Sequence, residues 1–170
     1  DKHKNMLYKL VYATLASDIE EEFLVSSDDH FYVKDTDFDN YPYYSKGQLP
    51  ETYDGELHHA LYKKSLYDTR QLLEKYNLPC YRFANHANTH CSRKAIYLAK
   101  DLINESFTTS IGCEPYCIIL NNLLAVCPFD VVDRIDKKVY DEAHTEEELK
   151  KYIGDSEVFS IDDEAIELVA

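Results

Sequence analysis

Between residues 57 and 76 the apolar positions recur at a helical interval. Leu57, Leu61, Leu66, Leu72, Leu73 and Tyr76 mark one stripe, and Lys63, Lys64, Arg70 and Lys75 mark the wet side. This spacing predicts a helix over 55–76, stopped by Asn77-Leu78-Pro79. Ala95, Ile96, Ala99, Leu102 and Ile103 predict a second helix, with Thr89 or Asn88 as its cap. Thr145-Glu146-Glu147-Glu148 forms a capping box for a third; Lys150 and Lys151 suit the dipole at its far end, and Gly154 stops it. On the same ground Ser17 and Glu20 predict a short acidic helix over 18–24.

Other stretches read as strands. Residues 6–16, MLYKLVYATLA, are rich in Tyr, Val, Leu and Thr and apolar on both faces, which predicts a central strand. Residues 30–34, 78–84 and 158–161 read as further strands. Two continuously apolar runs, 116–120 and 123–129, flank Asn121-Asn122, which predicts a buried hairpin with a type I′ turn. Between the strand at 30–34 and the helix at 55–76, residues 35–54 form a long polar connection with prolines at 42 and 50 and no period, which predicts a functional or mobile loop. This order of elements predicts an α+β fold: one domain over 1–170, with a mixed, mostly antiparallel sheet and three to four helices packed on it. The sole methionine is Met6, so residues 1–5 read as a remnant ahead of a native start.

A chain of 170 residues can bury a substantial core. No apolar run approaches the length of a membrane-spanning helix. Five cysteines, at 80, 91, 113, 117 and 127, are an odd number, which suits a reducing, cytoplasmic compartment rather than a disulfide framework.

Charge changes the picture further. The net charge is −14, and it is unevenly spread. From 17 to 54, eleven acids face Lys34 and Lys46, a balance of −9; from 130 to 170, fourteen acids face five bases, again −9. Between 55 and 103 four acids face eight Lys or Arg, a balance of +4. Such a chain does not bind nucleic acid or an anionic membrane through its general field, but it attracts a basic protein surface.

Four constellations carry candidate chemistry. Residues 78–103 read as strand, loop and helix, with His86, His90, Cys91, Ser92 and Arg93 gathered where the helix begins. In a thiol-dependent hydrolase or transferase, Cys91 would be the nucleophile and His86 its base, oriented by Asn85 or Asn88. Arg93 would hold an anionic group, and the helix-start amides would stabilise the thiolate. His58 or His59 could serve as a remote base. In a zinc-stabilised module, His86 and His90 would join Cys113 and Cys117, although the C-x-x-C knuckle is absent. Thr89, Ser92 and Arg93 would suit a small anion. With four glycines in the whole chain, a P-loop and a Rossmann fingerprint are excluded.

The last constellation is an acidic and aromatic surface. Asp28, Asp29, Asp35, Asp37 and Asp39 interleave with Phe31, Tyr32, Phe38, Tyr41, Tyr43 and Tyr44. Asp-x-Asp-x-Asp at 35–39 lacks the glycine and the glutamate of a calcium loop. Spaced carboxylates imitate the charge of a nucleic-acid backbone, and tyrosines add contact area at low entropic cost. The preferred expectation is therefore a binding protein, an inhibitor that engages a basic, nucleic-acid-binding protein. The Cys91 enzyme and the zinc module stand as the alternatives.

Overall fold

The computed structural model describes residues 2–16, 18–27, 29–53, 60–109, 111–134, 138–139, 145–156 and 158–161. Among them it places six helices and three small sheets, an α+β fold. The expected single sheet is thus divided into three, because the longest apolar runs form helices instead of strands.

The first of these is α1, Lys2–Leu15, where a strand was expected. Leu7 and Leu10 are buried and Val11 packs against the core, a helical spacing that outweighs the β-propensity of Tyr, Val and Thr. Residues 2–5, read as a remnant, belong to its first turns. The second is α5, Pro115–Val126, where a hairpin was expected. Glu114 is its N-cap and accepts from the Cys117 amide, and Pro115 needs no partner in the first turn. This helix is apolar nearly all round because neighbours cover it on most sides.

The helix α2, Ala60–Lys75, follows expectation, although its buried stripe is Ser65, Leu66, Thr69, Leu72 and Leu73. Leu61 and Tyr76 are exposed, and Leu57 lies outside the described residues. Asn77 takes a left-handed φ of 55°, and the Leu78 amide returns to the Leu73 carbonyl at 3.0 Å, closing the helix end. Two short helices, α3 (Arg93–Leu98) and α4 (Lys100–Ser106), occupy the stretch expected as one; they meet at Ala99. With α1, α2 and α5 they enclose the main core, which includes Leu7, Leu73, Phe83, Ile118 and Ile119.

The strands are short. The expected acidic helix over 18–24 is replaced by β1, Glu22–Val25, antiparallel to β4, Thr89–Ser92; Ser17 lies outside the described residues. β3, Tyr43–Ser45, runs parallel to β5, Val131–Asp133, inside and beside what was expected as a structureless loop. Residues 46–49 continue from β3 and bond to 80–82, with Lys46, Arg82 and Leu49 amides each donating at 2.8 Å. β7, Val158–Ile161, lies between β2, His30–Tyr32, and β6, Lys138–Val139. Phe31 stands opposite Phe159 there, with ring centroids 5.6 Å apart. The helix α6, Glu146–Ile153, covers this sheet with Leu149 and Ile153. Thr145 caps it as expected, accepting from the Glu148 amide at 3.2 Å, and the Thr145 hydroxyl donates to Glu148 Oε2 at 3.2 Å.

Candidate functional site

Two of the sequence constellations meet in space. The strand β4 and the loop before it carry Asn85, His86, Asn88, His90 and Cys91, Arg93 opens α3 directly after, and the acidic–aromatic segment 29–45 is fastened onto this stretch. The Tyr32 hydroxyl donates to Asn88 Oδ1 at 2.7 Å. Tyr43 stacks on His90, with centroids 5.0 Å apart and planes within 9°. Asn85 Nδ2 donates to the Tyr44 carbonyl at 3.0 Å. A segment that reads as a free loop is therefore anchored at both ends by the central stretch.

This anchoring redistributes the residues expected to bind. Tyr41 is buried and meets Tyr44 edge-on at 5.6 Å. Tyr43 lies between His90 and Phe129, the latter centroid at 3.9 Å, and the Arg134 guanidinium sits 4.6 Å above the Tyr44 ring. These three tyrosines hold the segment in place; they do not present it. The outward apolar groups are Tyr32, Val33 and Phe38, with Phe38 56% exposed. Asp35, Asp37 and Asp39 stand exposed around them. Asp37 shapes its own turn, accepting from the Asp39 and Asn40 amides at 3.2 Å and from Asn40 Nδ2 at 2.9 Å. The Asn40 side-chain bond, then its backbone bond, holds the Asp37 carboxyl below its ordinary value. Asp29 is half-buried beside His30, at 4.0 Å, and Asp28 lies outside the described residues.

The residues of the enzyme and zinc readings are dispersed. Cys91 is not in a first helical turn; it belongs to β4, and Ser92 caps α3 by accepting from the Ala95 amide at 3.0 Å. Directly opposite Phe23 on the buried face, Cys91 is 1% exposed. Burial, with the negative charge of Glu114 added, pushes its thiol up to about 12, the reverse of what a nucleophile needs. His90 points to the other face, its Nε2 3.5 Å from Glu22 Oε2. Arg93 is committed to structure: it donates to the carbonyls of Thr14 (3.1 Å), Ala16 and Ile19, fixing the chain between α1 and β1. Cys113 and Cys117 are buried; burial pushes the first up to about 11 and the second well above its ordinary value. Among the described residues no three His, Cys, Asp or Glu side chains are grouped to hold a metal ion, so His86, His90, Cys113 and Cys117 do not assemble as a zinc set. His58 and His59 lie outside the described residues. Among the described residues, too, no helix is long and apolar enough to cross a membrane.

The interior holds one group that the sequence reading passed over. Glu114 is buried at the start of α5, its own amide donating to Thr69 Oγ1 at 2.7 Å. Burial raises its carboxyl despite the amide bonds from Cys117 and Tyr116 that favour the charge. The Glu-Pro pair at 114–115 is a helix-start signal, and it was the available clue. No protein-family model, curated protein or solved structure matches this chain.

Proposed function

We propose that the protein is a binding protein that engages a basic protein surface, of the kind that binds nucleic acid, through the segment spanning Tyr32 to Asp39. The observation that carries this reading is a preorganised display. Asp35, Asp37 and Asp39 are exposed around Phe38, Val33 and Tyr32, while Tyr32, Tyr43 and Tyr44 fasten the segment to Asn88, His90 and Asn85. A fixed segment loses little conformational entropy on binding, so its carboxylates and its aromatic anchor act together. Lys34 is turned toward Asp155 instead, its ammonium 2.8 Å from the Asp155 carbonyl and 3.7 Å from its carboxylate.

The test is competition against duplex DNA for a basic DNA-binding protein, with core histones as the probe. Wild type should displace the DNA at low salt and lose this ability steeply as salt rises. Asp35→Lys/Asp39→Lys should weaken competition roughly tenfold or more. Asp37 is left intact because it builds the turn. Glu20→Lys/Glu147→Lys changes net charge equally at two exposed positions elsewhere and should have a much smaller effect. Equal weakening by the two double variants, or no competition at any salt, would overturn the reading.

A further inference from the structure

The strongest unassigned surface is the outward face of α1. Lys2, Asn5, Tyr8, Lys9, Tyr12 and Leu15 are its exposed positions, at helical spacing. Tyr12 is 69% exposed and Leu15 74%; Tyr8, stacked on Phe107 at 4.5 Å, is still more than half exposed. Three exposed apolar side chains at helical spacing share one face of α1, and apolar groups gathered on one face can serve as a contact surface. Its charge is equally unusual: in a chain of net charge −14, Lys2–Leu15 contains three lysines and no acid. The inner face is fully engaged, with Leu7 and Leu10 in the core and His3 Nε2 3.2 Å from Ser65 Oγ. Gly112, at a φ of +78°, lets the chain pass so close that an added Cβ would lie 2.9 Å from Lys4 Cγ. So α1 is rigidly seated, and its outer stripe is fixed in place.

The same chain carries the complement of that stripe. Segment 32–39 sets three exposed apolar side chains, Tyr32, Val33 and Phe38, among the exposed carboxylates of Asp35, Asp37 and Asp39. The α1 face sets three exposed apolar side chains among Lys2 and Lys9. Both surfaces are exposed in the one molecule, so neither covers the other within it. We infer that the α1 face of one copy docks on segment 32–39 of a second copy, head to tail. The contact is heterologous, so it leaves a free face at each end and adds further copies. The net charge of −14 on each copy opposes approach at long range, but beyond a Debye length of about 8 Å in 0.15 M salt it is screened, and the local opposite charges decide. The patches are small, so the association is of the weak, transient class. It stands whether or not a basic partner also uses segment 32–39.

Sedimentation velocity of the full chain in 0.15 M salt tests this, over about 1–300 μM. The sedimentation coefficient should climb with concentration without settling at a dimer. Lys9→Gln/Tyr12→Ser keeps the acidic segment, and Phe38→Ser/Asp39→Asn keeps the α1 face. Each alone should stay monomeric, and the two mixed should give a 1:1 dimer that grows no further. A monomeric wild type overturns the inference. So does self-association of either double variant, or a mixture that stays monomeric; circular dichroism on each variant establishes that it is folded. Loss of histone binding by Asp35→Lys/Asp39→Lys would be unaffected by any of these outcomes, since that experiment reads a different partner.

Discussion

Glu114 sets three forces against each other. The N-terminus of α5 and the Cys117 amide at 2.9 Å favour a carboxylate, as does the more distant Arg82. Burial disfavours it and wins, so the carboxyl is raised above 4.5. A carboxyl raised in the folded state binds its proton more tightly there than in the unfolded chain. Its stabilising contribution is present below the unfolded value and is lost as pH climbs through the folded one. At neutral pH it is therefore a cost. Glu114→Gln keeps an oxygen for the Cys117 amide and removes the charge. It should raise Tm by about 2–4 °C at pH 7, the size of a 1 kcal/mol change in a chain of this length, and make no difference at pH 4. A variant that melts lower than wild type at pH 7 would mean the charge itself is needed at this cap. Cys91, Cys113 and Tyr62 push the same way at the alkaline end, each raised first by burial, so the fold loses stability as pH climbs above about 9, where the unfolded chain ionises.

Among the elements, those with local signals were legible in the sequence. α6 has its capping box, its ordered charges and Gly154; α2 has its stripe and the left-handed Asn77; β2 and β7 are short runs where they were expected. α1 and α5 were not legible, because a run apolar on both sides fits either period, and only the partners it meets decide. Asn121 shows how tertiary contact reverses a local signal. Asn-Gly and Asn-Asn pairs favour turns because a short amide bonds its own backbone. Here the Asn121 amide is used at long range instead: Oδ1 accepts from the Tyr81 amide at 2.8 Å, and Nδ2 donates to the carbonyls of Tyr81 (2.7 Å) and Cys117 (2.8 Å). It thereby joins α5 to the extended stretch 80–82 as a neighbouring strand would. The candidate site was half legible for a related reason: the carboxylates follow from composition, whereas the inward turn of Tyr41, Tyr43 and Tyr44 depends on His90, Phe129 and Arg134, remote in sequence. Asn121→Asp would set a buried carboxylate against two carbonyls and lose both donations. It should cost about 3–5 kcal/mol in denaturant unfolding at pH 7, with part of the loss recovered as the carboxyl is protonated at low pH. A cost below about 1 kcal/mol would mean that water replaces those bonds.

For the molecule as a whole, the opposing electrostatic terms are the excess charge and the local ion pairs. Two blocks of −9 lie at 17–54 and 130–170, and self-repulsion of this kind weakens the compact state. Against it stand the pairs Lys64–Asp68, Arg70–Glu74, Lys75–Glu105 and Lys150–Glu146. Three of these join residues four apart on one helix, and pairs of that kind add little where water reaches them. Lys75–Glu105 joins distant parts of the chain, with the Tyr76 hydroxyl also donating to Glu105 at 2.6 Å, and so do Arg70–Glu51 at 3.2 Å and Lys34–Asp155 at 3.7 Å. Salt screens both terms, so the sign of the salt response shows which is larger. The pairs are few and weak, while the excess is fourteen charges, so repulsion should dominate. Tm should rise between about 10 mM and 300 mM sodium chloride, where the Debye length falls from about 30 Å to below 8 Å. The rise should be smaller in Glu20→Lys/Glu147→Lys, which removes four units of the excess at exposed positions without touching a pair. If Tm instead falls with salt, the pairs hold more of the fold than their exposure suggests, and the acidic blocks are already compensated by the basic stretch at 55–103. In that case the outward carboxylates of segment 32–39 would exert little field beyond their own neighbourhood, and recognition there would rest on Phe38, Val33 and Tyr32.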